Sequence, residues 1–577
     1  MSLGALRIAL GQHSVAGRKA LNQDFHGAVV PVGSRLHTKG VAVALADGIS
    51  SSLVSQIASA AAVRTFLDDY YCTTEAWTVR RSAQCVLEAT NSWLHAQTQR
   101  SDARFDRDRG YVCTFSALIL KGRQAHLLHV GDTRVYRVHR LSLEQLSDDH
   151  RVRISSEETY LGRALGMGPS VEIDYRQWDT DVGELYLLAT DGAYDFLDAV
   201  DVQAALGNHP QDLNAAAAEL VTLALARGST DNLTVQLVRI EALPAPDQPL
   251  QDRAGLKLPP DLAPRSHFEG YTIVRELHAS ARSHVYLAVH EATGQQVALK
   301  TPSVDLQGDP GYLDRFLLEE WVARRLDSPH VLKPCEVTQA RQHVYVAMEY
   351  VEGPTLAQWM TDHPAPDLDH VRDLIEQIAK GLQAFHRKEM LHQDLRPENI
   401  LIDRTGTARL IDFASVHVAG LTEGTAAAQP HSIEGSLQYT APEYFVGEGG
   451  SERSELFALA VLAYQMWTHH LPYGLQVTRL RSPRDLAGLR YTPLREHRPD
   501  LPAWLDGVLR RALHPHPHKR PEALSEFIHE LKAAPAHASH PQTTPLIDRH
   551  PVVFWQTLTA LLGLTVILLL GLRVFGR

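Results

Sequence analysis

Cysteine is scarce in this chain: Cys72, Cys85, Cys113 and Cys335 are the only four in 577 residues, and none shares a Cys-x-x-Cys spacing. A disulfide-stapled scaffold is thereby excluded, and the thiols read as reduced ones in a cytosolic compartment. A basic excess is also missing. Lys and Arg number 56 against 67 Asp and Glu, a formal charge of −11, which argues against nucleic acid as a partner. No repeat links the two halves, and no charged leader with an apolar core follows Met1, so no secretory signal is expected. Charge is absent altogether from residues 551–572, and Leu558 to Leu572 is almost wholly apolar or small. As a helix, that stretch spans about 33 Å, enough for a hydrocarbon layer of about 30 Å. One membrane helix is expected over 551–572, with Trp555 at an interface and Arg573 and Arg577 beyond its far end.

What is present is ordinary globular material, 44% hydrophobic and 21% charged. Proline-dense segments divide it. Residues 241–266 and 533–550 read as linkers, leaving blocks at 1–240 and 267–532. The 31 histidines include His514-Pro515-His516-Pro517-His518, whose prolines prevent a ligand-presenting helix, so a solvated loop is expected there.

In the second block, Leu391-His392-Gln393-Asp394-Leu395-Arg396-Pro397-Glu398-Asn399 is followed by Ile411-Asp412-Phe413-Ala414. An acid, an amide five residues on and a second acid suit phosphoryl transfer from ATP. With Val297-Ala298-Leu299-Lys300, Met348-Glu349-Tyr350-Val351, Gly435 to Glu443 and Lys519-Arg520-Pro521, the block resembles the eukaryotic-like Ser/Thr protein kinases. The resemblance implies that Asp394 orients the substrate hydroxyl and that Asn399 and Asp412 hold magnesium. It also implies that Lys300 grips the ATP phosphates, paired with Glu319 or else Glu320. Leu277, Val285, Ala298, Met348, Glu349 and Val351 would line the nucleotide site, and Glu443 would pair with Arg520. Four departures from the family pattern involve six positions. His278, Ser280 and Ser283 replace the glycines of the phosphate-covering loop, and Gln393 replaces the Arg that receives an activation-segment phosphate. Ala414 replaces a Gly, and Glu455 replaces the Asp that supports the catalytic loop. Because Gln393 is uncharged, activity is expected not to depend on phosphorylation at Thr422, Thr425, Ser432, Ser436 or Thr440.

In the first block, apolar strands end in acids: Val41 to Asp47-Gly48, and Leu185 to Asp191-Gly192. Asn22-Gln23-Asp24 precedes them and Gly228-Ser229-Thr230-Asp231-Asn232 follows. Carboxylates gathered at a sheet rim suit magnesium or manganese, and a pair of such ions can activate water against a phosphoester. This ordered set resembles the metal-dependent Ser/Thr protein phosphatases. The resemblance implies that Asp47 bridges two metals, the Gly48 carbonyl binds one, Asp191 and Asp231 complete the site, and Asp24 holds metal-bound water. Asp132 would join a third, weaker site. Lys19, beside Arg18, stands where the family's phosphate-binding Arg lies, and Ile49-Ser50-Ser51 replaces the common glycines.

The expected fold is multidomain α+β: an α/β/β/α phosphatase sandwich, a bilobal kinase and a single C-terminal transmembrane helix. The expected function is a bifunctional enzyme at the cell (inner) membrane, both catalytic domains cytoplasmic, using ATP, Mg2+ and Mn2+ on Ser/Thr protein substrates and phosphoproteins. An active phosphatase whose kinase-like domain only binds nucleotide or partners is the alternative, and a scaffold with neither activity is a further one.

Overall fold

The computed structural model describes residues 5–139, 142–153, 159–245, 256–303, 310–336, 341–421, 437–533, 555–556 and 559. The expected membrane helix, apart from Trp555, Gln556 and Thr559, lies outside them. So do the 534–550 part of the second linker and Thr422, Thr425, Ser432 and Ser436. Among the described residues no helix is long and apolar enough to cross a membrane.

The N-terminal domain contains β1 (Arg7–Val15), β2 (Asp24–Val29), β3 (Val41–Asp47), β4 (Phe115–Lys121), β5 (Gln124–Val130) and β6 (Arg134–His139). It continues with β7 (Ser142–Gln145), β8 (Arg151–Arg153), β9 (Thr159–Leu161), β10 (Asp174–Asp179), β11 (Leu185–Ala189) and β12 (Leu233–Ala242). Two five-stranded sheets form, ordered β1-β12-β11-β6-β7 and β10-β5-β4-β3-β2. Strand β3 shows why they face each other. Val41, Val43 and Leu45 enter the core between the sheets with Tyr186, Leu188 and Val238, while Ala42, Ala44 and Ala46 face helices on the other side. That alternation is the two-residue period of a strand buried on both faces.

The helices are α1 (Ser34–Lys39), α2 (Ser55–Cys72), α3 (Val79–Arg100), α4 (Asp191–Tyr194), α5 (Ala199–Asn208) and α6 (Leu213–Ala226). Phe66, Tyr70 and Val86 of α2 and α3 cover the second sheet, and Ala216, Leu220 and Val221 of α6 cover the first. Side-chain caps start these helices: the Thr78 hydroxyl accepts the Arg81 N–H of α3, and Asp198 and Asp201 form a capping box on α5. The α/β/β/α layering expected from the sequence is observed.

In the C-terminal domain, β13 (His267–Phe268), β14 (Tyr271–Ala279), β15 (Ser283–His290), β16 (Gln296–Pro302) and β17 (Val346–Glu349) make one antiparallel sheet in chain order. Helix α7 (Pro310–Arg325) accompanies it. A larger helical lobe follows, with α8 (Leu356–Asp362), α9 (Leu368–His386) and a central helix at Glu452–Thr468. Nearly every side chain of that central helix is buried, whereas α9 buries Val371, Leu374, Ile375, Ile378, Leu382 and Phe385 on one stripe. The bilobal arrangement is as expected.

The end of the 241–266 linker differs from the spacer its prolines suggest. Lys257 pairs in parallel with His343, its N–H donating to Gln342 O at 2.9 Å and its carbonyl accepting from Val344 at 2.9 Å. Leu262 packs against the small-lobe core. Edge backbone groups that gain partners, with Leu256 and Leu262 packed inward, outweigh proline stiffness here.

Candidate active sites

In the N-terminal domain the β2–β3 register sets Asp24 opposite Asp47. Asp24 Oδ2 accepts Thr190 Oγ1 at 2.8 Å and Thr234 Oγ1 at 2.7 Å, while its Oδ1 is buried without a partner. Burial, with a contribution from the Asp231 carboxylate, pushes the Asp24 carboxyl up to about 6 against those hydrogen bonds. Burial and then the neighbouring Asp24 and Asp191 carboxylates push Asp47 well above its ordinary value. Burial, Asp132 and Asp231 push Asp191 up to about 6. Thus Asp24, Asp47, Asp132, Asp191 and Asp231, drawn from more than two hundred positions of chain, meet at one edge of the sandwich. Gly192 is required there, since a Cβ would stand 2.1 Å from Asn232 O. Asn232 ties the rim together: its Nδ2 donates to Ala16 O and Leu21 O, and its Oδ1 accepts the Gln23 N–H.

Among the described residues, no three His, Cys, Asp or Glu side chains close on one point tightly enough to grip an ion as they stand. Two cations are interleaved among the acids. Arg151 donates to Asp132 at 2.7 Å and reaches Asp191 at 3.4 Å, and Lys19 pairs with Asp231 and donates to Ser50 Oγ at 2.6 Å. Crowded carboxylates, with Asp24, Asp47 and Asp191 raised, and one orphaned buried oxygen form a donor set that fits hard divalent cations. Ser50 thus anchors Lys19, and the Ser51 hydroxyl donates to Asp108 O. Arg151, Thr190 and Thr234 were given no role by the sequence; Thr190 lies within the Leu185 to Gly192 run, but the part each plays comes only from tertiary proximity.

In the C-terminal domain, Lys300 Nζ donates to Glu319 at 2.7 and 2.9 Å and to Asp412 at 2.9 Å. Burial opposes its charge, but Asp412 and Glu319 outweigh that and hold it above the ordinary lysine value. Asp412 in turn is held low by Lys300 despite its own burial. Glu320, the other acid considered for Lys300, is engaged by Arg341 at 2.6 Å and Arg324 at 2.8 Å. Asn399 Nδ2 donates to Asp394 Oδ2 at 2.8 Å, fixing the two at the bottom of the site. Ala298 pairs with Met348 and Val285 with Lys300, which sets the expected adenine and phosphate positions on one face of the sheet, while Val297 and Glu349 pair on the opposite face and Leu277 and Val351 are half-buried.

Ser280, Ala414 and Glu455 each have a structural answer. Ser280 Oγ accepts the N–H groups of Arg282 and Ser283 at the β14–β15 tip, engaging donors that a glycine loop leaves free. Left-handed backbone falls on Gln393 (φ 62°) and Asp412 (φ 64°), not on Ala414, so Ala414 needs no glycine. Glu455 supports the catalytic loop, accepting backbone N–H groups from His392 and from Gln393 at 3.0 Å. Glu443 and fully buried Arg520 pair at 2.7 and 2.8 Å, and the His514 and Pro515 carbonyls of the histidine-proline loop seat that guanidinium.

Residues 12–237 match the family model for protein phosphatase 2C, and residues 271–532 match that for the protein kinase domain. The chain carries a protein phosphatase 2C domain followed by a protein kinase domain. Over the kinase domain it is 29% identical in 271 residues to the serine/threonine-protein kinase pkn2 of Myxococcus xanthus, covering 46% of this chain and 32% of that one. With PrkC of Bacillus subtilis the identity is 26% over 265 residues, 46% of this chain and 40% of the other. The chain therefore spans less than half the length of these curated relatives. The solved kinase domain of Mycobacterium tuberculosis PknI is 31% identical, covers 47% of this chain and 98% of its own, with a TM-score of 0.37. The catalytic domain of the serine threonine protein phosphatase PstP, solved with two manganese ions, is 25% identical over 41% of this chain and 100% of its own, with a TM-score of 0.34. ATP with magnesium serves the kinase domain, and manganese or magnesium serves the phosphatase domain.

Proposed function

We propose that the chain is a bifunctional signalling enzyme that phosphorylates Ser/Thr hydroxyls of proteins and dephosphorylates phosphoproteins. The observation that carries the reading is the Lys300 bridge to both Glu319 and Asp412, an assembled catalytic pair beside an intact Asp394–Asn399 couple. In the kinase domain Asp394 accepts the proton of the attacking hydroxyl while the γ-phosphorus leaves the β-phosphate oxygen, and Lys300 holds the α and β phosphates. Asn399 and Asp412 would hold magnesium, which neutralises charge on the transferring group. In the phosphatase domain Asp47, the Gly48 carbonyl, Asp191 and Asp231 would hold manganese or magnesium, which polarises the phosphoester and acidifies the attacking water. Asp24, at an edge of this set, keeps one oxygen on Thr190 and Thr234 and offers the other to that water. Lys19 and Arg151 neutralise the incoming phosphate.

Joining opposed activities on one chain raises the local concentration of each domain for the other, so the phosphatase domain erases the kinase's autophosphorylation. The uncharged run 551–572 supports a single membrane helix anchoring the protein at the cell (inner) membrane, with both catalytic domains on the cytoplasmic side where ATP is found. Ser280 favours a second reading, a kinase-like domain that binds nucleotide without turnover, because its hydroxyl engages hairpin N–H groups. The test is a radiolabelled ATP assay with and without manganese, beside Asp394→Ala, Lys300→Met and Asp47→Ala. Label transfer lost in the first two and label retention raised in the third are expected. Equal label on wild type and Lys300→Met supports the second reading. Membrane fractionation of full-length and 551–577-deleted protein tests the anchor, which fails if both partition alike.

A further inference from the structure

Helix α7 carries Glu319 on one side and Trp321 on the other, since two residues on a helix turn through about 200°. Trp321 is fully buried, in an apolar cluster that joins residues of both domains. Its indole N–H donates to Asp69 O at 3.3 Å, and its ring lies 6.0 Å from that of Trp77. One turn on, Arg325 stacks over Trp321 at 4.4 Å and donates to Asp69 Oδ2 at 2.7 Å, with side-chain exposures of 3% and 6%. Phe316 and Leu317 of α7 continue the same apolar cluster with Phe66 and Tyr70 of α2.

Two more contacts, both from the adjoining helix α3, reach kinase parts that must be in place for transfer. Gly420, where the described chain leaves toward the activation segment, packs on α3 so closely that a Cβ would stand 2.5 Å from Glu88 O. Arg100, at the end of α3, pairs with Glu389 at 2.5 Å just before the catalytic loop and with Glu452 at 3.3 Å. One rigid helical layer therefore touches the Glu319 helix, the root of the activation segment and the approach to Asp394.

We propose that Asp69 and Trp77 of the phosphatase domain are positioning residues for the kinase reaction: by clamping α7 they hold Glu319 against Lys300. A kinase with Gln393 has no Arg at that position to recruit an activation-segment phosphate, and the docked helices supply the order that such a phosphate otherwise brings. The inference rests on the kinase domain turning over. A desolvated ion pair such as Asp69–Arg325 adds little net stability beside an apolar contact, but it fixes one docking register because either charge alone is costly.

The test uses the full chain with Asp69→Ala, Trp77→Ala, Trp77→Phe and Arg325→Lys. Kinase turnover on a generic Ser/Thr peptide, phosphatase turnover on p-nitrophenyl phosphate with manganese, and amide exchange over residues 310–325 are measured. Both alanine variants are expected to lower kinase kcat at least tenfold, leave the peptide KM within about twofold and speed exchange over 310–325. Phosphatase turnover stays within about twofold, and Arg325→Lys, which keeps the charge, retains most kinase turnover. If an alanine variant also loses phosphatase turnover, Trp77→Phe is judged by the same criteria. Unchanged kcat or unchanged exchange in folded variants overturns the proposal. A wild type without kinase turnover overturns the activity reading instead, and the exchange comparison then decides the docking by itself.

Discussion

Glu455 Oε2 lies 2.6 Å from His386 Nε2, with both side chains nearly excluded from water. Burial opposes both charges, yet Glu455 raises His386 above 6.5 and His386 draws Glu455 below 4.5. A raised base stabilises fully below its unfolded value and a lowered acid fully above its own. The pair therefore contributes most between about pH 4.5 and 6.5, and its contribution declines as pH rises through the folded value of His386. Glu455→Gln is expected to cost about 3 kcal/mol in that window and less at pH 9, as read from urea midpoints at the two pH values. An equal cost at both would show that backbone support, not charge, dominates.

Lys300 bridges two carboxylates at once, with a single charge between them. Lys300→Met is expected to lower kinase turnover by about 100-fold or more and leave manganese-dependent phosphatase turnover unchanged. Peptide phosphorylation and p-nitrophenyl phosphate hydrolysis by the same preparation measure both.

Crowding at the phosphatase site gives Asp47→Asn two effects of opposite sign. Without divalent ions it removes one of several mutually repelling charges, so the melting temperature is expected to rise. Manganese at a hundred times its dissociation constant stabilises the wild type by about 2.7 kcal/mol, a shift of about 5 °C or more, which the variant loses. Thermal melts with chelator and with manganese check both directions.

Ser280→Gly releases the Arg282 and Ser283 N–H groups toward phosphate. The KM for ATP is expected to fall about fivefold, the worth of one hydrogen bond near 1 kcal/mol, with kcat little changed. A rise in KM would show that the serine pre-forms the hairpin.

The chemistry was readable from sequence where a reaction dictates spacing. Asp394 and Asn399 lie in one short loop, and Lys300, Asp412, Glu443 and Arg520 each sit at a fixed place in a motif, whereas Glu319 was told from Glu320 only by its contact with Lys300. The sandwich was readable only through the phosphatase resemblance that the acids ending strands such as β3 and β11 carry. Arg151, Thr190 and Thr234 were not, because hydroxyl and guanidinium groups such as these acquire roles only when loops converge. Nor was the contact between the domains: Trp321 and Asp69 look like ordinary positions on amphipathic helices until the two helices are seen together.

Trp321 has a practical corollary. A dissected kinase beginning near residue 267 would bare an indole, Phe316 and Leu317 to solvent and leave Arg325 without its counter-ion. Such a fragment invites self-association, and sluggish catalysis by it would describe an amputated molecule rather than the native one. Excising the eraser would blunt the writer.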